Sequence, residues 1–259
     1  MLPQRRVAAL APLLLAAAAA AAQPTPPPQG QADPRAAEVA ERLLTALGGR
    51  EAWEATRYIR FNFNGRRTHV WDKHTGRHRV EGQTQEGKSF LVLHNVATRE
   101  GGQAWLDGRP ASAEEAPELL ERAYGAWIND TYWLLMPYKL RDPGASLAFD
   151  GEETLDGQVY DKLRLSFQAV GLTPGDTYWA YVNRATGLMD RWAYRLQDQP
   201  PDAAPTVWLW QGWDTFGRIK LAPLRVQLGA ERRLELRDIA VADTLPDTVF
   251  SSPEPAPSP

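Results

Sequence analysis

Histidines are the side chains of this 259-residue sequence that are best suited to bind a metal ion or to transfer protons. The four are His69, His74, His78 and His94. Three of them fall in or beside a predicted hairpin, whose strands His69–Asp72 and Arg77–Glu81 are joined by a turn at Thr75-Gly76. The geometry of this hairpin therefore decides whether the histidines can act together.

A two-residue turn fixes which residues of the hairpin lie opposite each other. In that register Lys73 pairs with His78, and His74 points to the face opposite His78. His69 falls opposite Gly82, about 13 Å along the strand from Lys73 at roughly 3.3 Å per residue. We therefore predict ordinary surface or hairpin histidines and no metal site.

The sequence offers little for nucleophilic catalysis. It contains no cysteine, no G-x-S-x-G motif and no glycine-rich loop before a helix that could hold a phosphate. The acids Asp150, Glu152 and Glu153 fall near a predicted turn, where solvated carboxylates are common. We predict that the protein is not an enzyme and needs no cofactor. An envelope hydrolase that uses a pair of acids is an alternative.

The N-terminal residues are typical of an exported protein. Arg5 and Arg6 precede an apolar run that passes into alanines ending at Ala22, which predicts a signal peptide over residues 1–22. The remaining chain has 27 basic and 32 acidic residues, a net charge of −5. This charge disfavours nucleic acid and anionic membranes as partners. With no second long apolar segment, we expect a periplasmic or secreted protein without stable membrane insertion.

Proline-rich segments frame one predicted domain. Residues 23–32 are a proline-rich linker, residues 33–250 the domain, and residues 251–259 a disordered tail. Within the domain, Asp33-Pro34 begins a helix, with the aspartate as N-cap. The oligomeric state has no signature in the sequence.

Alternation and turn signals predict about eleven or twelve strands, interrupted by a helical segment at Ser112–Met136. Ser112 and Glu115 form a predicted capping box, and Asn129-Asp130 could break the segment and cap a second short helix. The fold class is mainly β with α: a strongly curved antiparallel sheet or half-open barrel with an N-terminal helix and an inserted helical lid. Such a sheet encloses more volume than its own side chains fill.

Aromatic residues supply the predicted lining of that space. Trp208 and Trp210 share one face of a strand, and Trp179 and Tyr181 share one face of another. Large apolar cavities of this kind suit greasy ligands. The predicted cavity and lid residues are Leu120, Tyr124, Trp127, Trp133, Leu135, Met136, Trp179, Tyr181, Trp192, Trp208 and Trp210.

Two segments resemble a known superfamily. INDTYWLLMPYKLRDPG (Ile128–Gly144) and ALGGREAWEA (Ala46–Ala55) are similar to exported bacterial proteins of the LolA/LolB-like lipoprotein carrier superfamily, in a branch separate from LolA and LolB themselves. In that superfamily an incomplete barrel forms a hydrophobic cup with helices across its mouth. The resemblance implies an exported carrier or binding protein for an acyl-chain ligand, such as a lipid or an acylated protein. A cell-envelope interaction or sensor module with the same fold is the alternative.

Overall fold

The computed structural model describes residues 30–167 and 173–256. The predicted signal peptide at residues 1–22 lies outside the described residues, as does most of the proline-rich linker. The description that follows concerns the predicted domain and the first residues of the predicted tail.

Three α-helices have the bounds α1 (Pro34–Ala46), α2 (Arg50–Ala55) and α3 (Glu115–Leu135), and short 3-10 helices follow at Met136–Tyr138 and Asp247–Phe250. The predicted cap of α1 is confirmed, because the Asp33 carboxylate accepts a hydrogen bond from the Ala36 amide at 2.7 Å. The predicted capping box at α3 also forms. The Glu115 carboxylate accepts from the Ser112 amide at 2.8 Å, and the Ser112 hydroxyl accepts from the Glu115 amide at 3.2 Å.

The strands are β1 (Gln31–Ala32), β2 (Tyr58–Phe63), β3 (Arg67–Asp72), β4 (Arg77–Gln83), β5 (Ser89–Asn95), β6 (Gln103–Leu106), β7 (Arg109–Pro110), β8 (Ala145–Leu155), β9 (Gln158–Phe167), β10 (Thr177–Asn183), β11 (Met189–Arg195), β12 (Thr206–Gln211), β13 (Asp214–Phe216), β14 (Ile219–Leu221), β15 (Leu224–Gln227) and β16 (Arg233–Ala242). Fourteen form one sheet in the order β1-β8-β9-β10-β11-β12-β15-β16-β2-β3-β4-β5-β6-β7, while β13 and β14 form a separate hairpin.

The large sheet is strongly curved, unclosed and antiparallel except where β1 pairs with β8. The predicted half-open barrel with an inserted helix is therefore confirmed. Strands β1 and β7 are only two residues long. The other twelve strands of this sheet agree with the number that the sequence predicts, and the β13-β14 hairpin is additional.

One face of the sheet, called here the inner face, carries the main core. Helix α1 contributes Val39 and Leu43 to it and its C-cap residue is Leu47, all three fully buried, and the end of α3 contributes Leu134 and Leu135. Side chains from β2, β9, β10, β11, β12 and β16 complete the same cluster. The N-terminal half of α3 packs on β4, β5 and β6 in a second, smaller cluster. The helices thus lie along the inner face of a single sheet.

Helix α3 continues through the Asn129-Asp130 pair, so the predicted break at that point is wrong. The side chain of Asp130 is fully buried against β3 and does not cap a second helix. Because its partners lie on the sheet, the carboxylate is satisfied without any interruption of the helical hydrogen bonds.

The start of the predicted disordered tail lies against the face of β4 opposite the helices. Arg79 on β4 is fully buried, and its guanidinium donates to the carbonyl oxygens of Ser252 and Glu254, each at 2.9 Å. Composition predicts disorder from residue 251, whereas these carbonyls satisfy a buried arginine. Within the part of the chain that the structure describes, no helix is long and apolar enough to cross a membrane.

The fold predicts that truncating two apolar residues of the same strand, β9, lowers the free energy of unfolding by different amounts. Leu163 is fully buried in the main core, whereas Val159 is 39% exposed. We expect Leu163→Ala to lower the free energy of unfolding by about 2–5 kcal/mol, because it leaves a cavity. Val159→Ala should change it by no more than about 0.5 kcal/mol. Urea unfolding of both variants measures the difference, and equal losses would contradict this placement of β9.

Candidate functional site

A cavity of about 420 Å³ lies between the C-terminal half of α3 and strands β9, β10 and β11. Its walls are predominantly aromatic. Helix α3 supplies Tyr124, Trp127, Ile128, Tyr132 and Trp133, and the sheet supplies Phe167, Tyr178 and Trp192. This volume lies within the range of about 300–1,000 Å³ that is usual for small-molecule sites. The predominance of aromatic walls favours an apolar occupant.

The aromatic rings of the wall hold each other in place by edge-to-face and stacked contacts. Trp133 packs edge-on against Trp192 with 4.6 Å between ring centroids, and Tyr178 stacks on Trp192 at 5.6 Å. Tyr132 meets Tyr178 edge-on at 5.4 Å. The wall is therefore built from rings of the helix and of the sheet in mutual contact.

A few polar groups face the same cavity. Lys139 and Asp142 line it and form an ion pair with each other. The Tyr132 hydroxyl is buried and has no hydrogen-bond partner among the described residues. Burial raises the pKa of Tyr132 well above its ordinary value, so the hydroxyl keeps its proton. The indole N–H groups of Trp127 and Trp192, which also line the cavity, are likewise buried without a partner among the described residues.

Helix α3 is anchored to β3 by a buried ion pair. Arg67 donates two hydrogen bonds to the Asp130 carboxylate, at 2.5 and 2.8 Å. His69, which is fully buried, contacts Asp130 Oδ2 through Nε2 at 2.8 Å. Burial by itself raises the pKa of Asp130, but the hydrogen bonds from Arg67 and His69 outweigh it and lower the pKa below the ordinary value. The carboxylate is therefore ionised.

A second polar anchor joins α3 to β15. The Arg225 side chain is fully buried, and its guanidinium donates to the Trp133 carbonyl oxygen at 2.6 Å. Its guanidinium carbon lies 3.3 Å from the centroid of the Trp210 ring. The C-terminal half of α3 is thus held by two polar contacts, one at the Asp130 carboxylate and one at the Trp133 carbonyl oxygen.

The prediction of separate surface histidines is wrong for three of the four. His69, His78 and His94, called here the histidine row, lie side by side on the inner face of β3, β4 and β5. The Nδ1 of His69 is 3.0 Å from Nε2 of His78, and Nδ1 of His78 is 2.8 Å from Nε2 of His94. His69 and His78 are fully or almost fully buried. His74 alone is exposed, as predicted.

The error arises from the turn between β3 and β4. The Asp72 carbonyl accepts from the Gly76 amide at 2.9 Å, and its carboxylate accepts from the His74 amide at 3.2 Å, which widens the connection to Lys73–Gly76. The last pair of the hairpin is therefore Trp71 with His78. His69 consequently lies two positions nearer to His78 than a two-residue turn would place it.

Burial lowers the pKa of every member of the histidine row. It lowers the pKa of His69 even though the hydrogen bond to Asp130 acts in the opposite direction. Burial lowers the pKa of His78 well below the ordinary value, and that of His94 to about 4. All three are therefore neutral near pH 7.

The structure distributes the predicted cavity residues over four places. Tyr124, Trp127, Trp133 and Trp192 line the cavity. Leu135, Met136, Trp208 and Trp210 are buried in the main core. Leu120 packs in the smaller cluster between α3 and the strands β4 to β6. Trp179 and Tyr181 lie on the outer face of the sheet, so they do not line this cavity.

The outer position of Trp179 and Tyr181 is explained by their neighbours. Long cationic side chains cover both rings: Lys162 lies 5.3 Å from the Tyr181 ring centroid, and Arg195 lies 5.7 Å from that of Trp179. The Trp179 indole also donates to Asp150 at 3.0 Å. These charged side chains cover the outer face of β10. Both faces of the strand are therefore buried without a cavity on the outer side.

Sequence reasoning missed several residues that line the cavity. Tyr178 is next to Trp179 in sequence but on the inner face, and Tyr132 and Ile128 follow Trp127 on α3. The strand β9 carries the signal that could have placed Tyr178. Its charged residues Lys162 and Arg164 face the same side as Trp179 and Tyr181, which marks that side as the outer one.

The histidine row lacks the features of a metal site or a serine hydrolase. Among the described residues, no group of three or more potential ligands is arranged to hold a metal ion. Each bond of the row joins two ring nitrogens or a ring nitrogen and Asp130, and no serine or threonine hydroxyl takes part within the described ranges. A nucleophile paired with a base is therefore not formed there.

Comparison with known proteins gives distant structural likenesses. No family model matches the chain, and no curated protein matches its sequence. The chain is similar to a DUF1329 family protein from Desulfovibrio piger (11% identity, TM-score 0.44) and to a LolA superfamily protein from Nitrosomonas europaea (11%, 0.44). It is also similar to an outer membrane lipoprotein-sorting protein domain from Vibrio parahaemolyticus (10%, 0.43). Each likeness covers 83% of this chain and 96% of the other.

These structures include members of the superfamily that the sequence resembles.

The anchor at Asp130 predicts a large cost for removing its charge. Asp130→Asn leaves Arg67, only 28% exposed, without a charged partner. We expect a loss of about 3 kcal/mol in the free energy of unfolding at pH 7.5, measured in urea. Asp243→Asn is the control, because Asp243 pairs with Arg218 on the exposed surface and should cost less than about 1 kcal/mol. Similar losses in the two variants would show that Asp130 does not anchor the helix.

Proposed function

We propose that the protein is an exported carrier or binding protein that holds a hydrophobic ligand with an acyl chain in the cavity under helix α3. The observation that carries the proposal is the cavity of about 420 Å³ with walls of aromatic rings from the helix and the sheet. A lipid or the acyl part of a lipoprotein has the apolar chain that such walls favour. Export is proposed from the signal-peptide pattern that precedes Ala22.

The size of the cavity supports one acyl chain rather than several. Each methylene removed from water contributes about 0.8 kcal/mol. A chain of about ten methylenes would therefore contribute roughly 8 kcal/mol, against an association cost of at least about 4 kcal/mol. The contribution from burial is of the same order as the association cost, so the apolar walls can supply most of the favourable binding free energy.

The polar groups of the cavity favour a ligand with an oxygen acceptor at one end. The Tyr132 hydroxyl has no partner among the described residues and is covered by its neighbours, so a small shift of its ring would let it donate to a carboxylate or ester oxygen of the ligand. Lys139 and Asp142 lie at the same cavity and already neutralise each other. An ester or carboxylate head with an alkyl tail would satisfy the tyrosine and fill the aromatic space.

Helix α3 forms one side of a cavity that is partly open to solvent, and we propose that movement of the helix widens the opening for the ligand to enter or leave. Trp127 and Trp133 are among the lining residues that belong to the helix. A carrier and an envelope sensor both require such a movement, and the same cavity serves either role. Transfer of the ligand between membranes distinguishes the carrier from the sensor.

The proposal predicts that affinity depends on alkyl chain length. For octanoate, decanoate and dodecanoate, each added pair of methylenes should lower the Kd roughly 15-fold until the cavity is filled. Isothermal titration calorimetry at pH 7.5 measures this series. Failure of all three probes to bind, or a Kd that is the same for all three, would contradict an apolar chain site.

A cavity-filling variant provides the matched test of location. Ile128→Trp places a larger side chain on the cavity wall and should weaken dodecanoate binding by roughly tenfold or more, about 1.4 kcal/mol. Val159→Trp makes a comparable substitution at an exposed residue of β9 and should leave the Kd unchanged. Equal effects of the two variants would place the binding site elsewhere.

A further inference from the structure

Three histidines connect helix α3 to three neighbouring strands of the curved sheet through a continuous series of hydrogen bonds. The series runs from Asp130 on α3 to His69 on β3, His78 on β4 and His94 on β5, with separations of 2.8, 3.0 and 2.8 Å. Nothing in the proposed ligand binding uses these groups. A row of titratable side chains between this helix and the sheet therefore requires its own explanation.

The ionised Asp130 fixes the position of every proton in the row. A carboxylate only accepts hydrogen bonds, so His69 must donate from Nε2 and carry a bare Nδ1. His78 then donates from Nε2 to that Nδ1, and His94 donates from Nε2 to Nδ1 of His78. All three neutral histidines are consequently the Nε2–H tautomer.

This arrangement has room for a single additional proton. Each of the three hydrogen bonds contains one hydrogen, and the one vacant position is Nδ1 of His94, which has no partner among the described residues. His94 is half-buried, so this end of the row is the one nearest to water. A second added proton would place two N–H groups against each other and break a bond of the row.

Asp130 is the one carboxylate that contacts the row among the described residues, and its charge is already paired with Arg67. On β3, Arg67 already takes both oxygens of Asp130. From the loop after β5, the cation of Arg99 faces His94, while its partner Glu121 is an exposed residue of α3. Strand β2 contributes the uncharged ring of Phe61, stacked on His69 at 4.8 Å. A protonated row would therefore be a buried cation beside two arginines.

We propose that the histidine row is an acid-sensitive latch, which holds helix α3 over the cavity while its histidines are neutral and releases the helix when they are protonated. The purpose of the latch, control of access to the cavity, rests on the proposed function. The latch itself is a property of the unliganded protein. Its result would be a ligand bound near neutral pH and released in acid.

The direction of the pH effect follows from the difference between the closed and open states. In the closed state the pKa of His94 is about 4, and burial also lowers the pKa of His69 and His78. Once α3 moves away and water reaches the row, each histidine returns towards a pKa of about 6.5. Below that pH the open state binds more protons, so acidification raises the opening equilibrium by up to about tenfold per pH unit for each histidine.

Hydrogen exchange of the α3 amides tests the latch directly. In the wild-type protein we expect the opening constant for Asn129–Leu135, corrected for intrinsic exchange, to rise at least tenfold between pH 6 and pH 5. His78→Gln keeps a donor and an acceptor in the middle of the row but removes one titrating group. In that variant the factor by which the opening constant rises between pH 6 and pH 5 should be smaller than in the wild-type protein, by up to about tenfold.

The exposed His74 provides the matched control. His74→Gln removes a histidine outside the row and should reproduce the wild-type pH dependence. Amide protection of α3 that does not change between pH 6 and pH 5 would overturn the latch. The same conclusion would follow if His74→Gln reduced the rise as much as His78→Gln.

A measurement on the unmodified chain keeps the test independent of variant folding. Nitrogen-15 NMR should show the Nε2–H tautomer for the histidine row at pH 7, and the row should stay neutral near pH 6.5 while α3 is closed. Histidines of the row that become charged near pH 6.5 while α3 stays protected would also overturn the latch. Dodecanoate calorimetry at pH 7.5 separates the two proposals: binding without pH-dependent opening removes the latch alone, whereas opening without binding removes the proposed function alone.

Discussion

The hydrogen bonds that the buried Asp130 carboxylate accepts from Arg67 and His69 fix where helix α3 crosses the inner face of the sheet. Apolar contacts alone allow a helix to slide or rotate, because hydrophobic burial has no preferred direction. A buried carboxylate is costly unless its partners are in place, so it selects one position of the helix. That position leaves the space of about 420 Å³ under Trp127 and Trp133. The cavity is thus a consequence of polar anchoring as much as of sheet curvature.

Elements that depend on local signals could be predicted from the sequence. The N-cap at Asp33, the capping box of Ser112 with Glu115 and the curved antiparallel sheet all follow from residue type and spacing. The break at Asn129-Asp130 could not be judged in this way. Both residues favour helix ends in isolation, but the partners of Asp130 are about sixty positions away in the chain. Tertiary contacts decided the outcome there.

The site was predicted less completely, for two geometric reasons. The turn before Arg77 is wider than a two-residue turn, and the change of register brings His69 beside His78. Aromatic content was also a poor guide to the inner face, since Trp179 is covered by Arg195 on the outer side. The charged residues of the neighbouring strand β9 indicate the outer face better than the aromatic residues indicate the inner one. Which residues meet at a site on a β-sheet depends on the register of the strands and on the face that each side chain occupies. Both depend on contacts between segments that are distant in the sequence.

The proposed carrier depends on where an alkyl chain lies in the folded protein. The most direct measurement is the set of nuclear Overhauser effects between the methylene protons of bound dodecanoate and the tryptophan ring protons at pH 7.5. The cavity predicts contacts to Trp127, Trp133 and Trp192, and none to Trp179 on the outer face. Contacts to Trp179 without contacts to the three cavity tryptophans would contradict binding beneath α3.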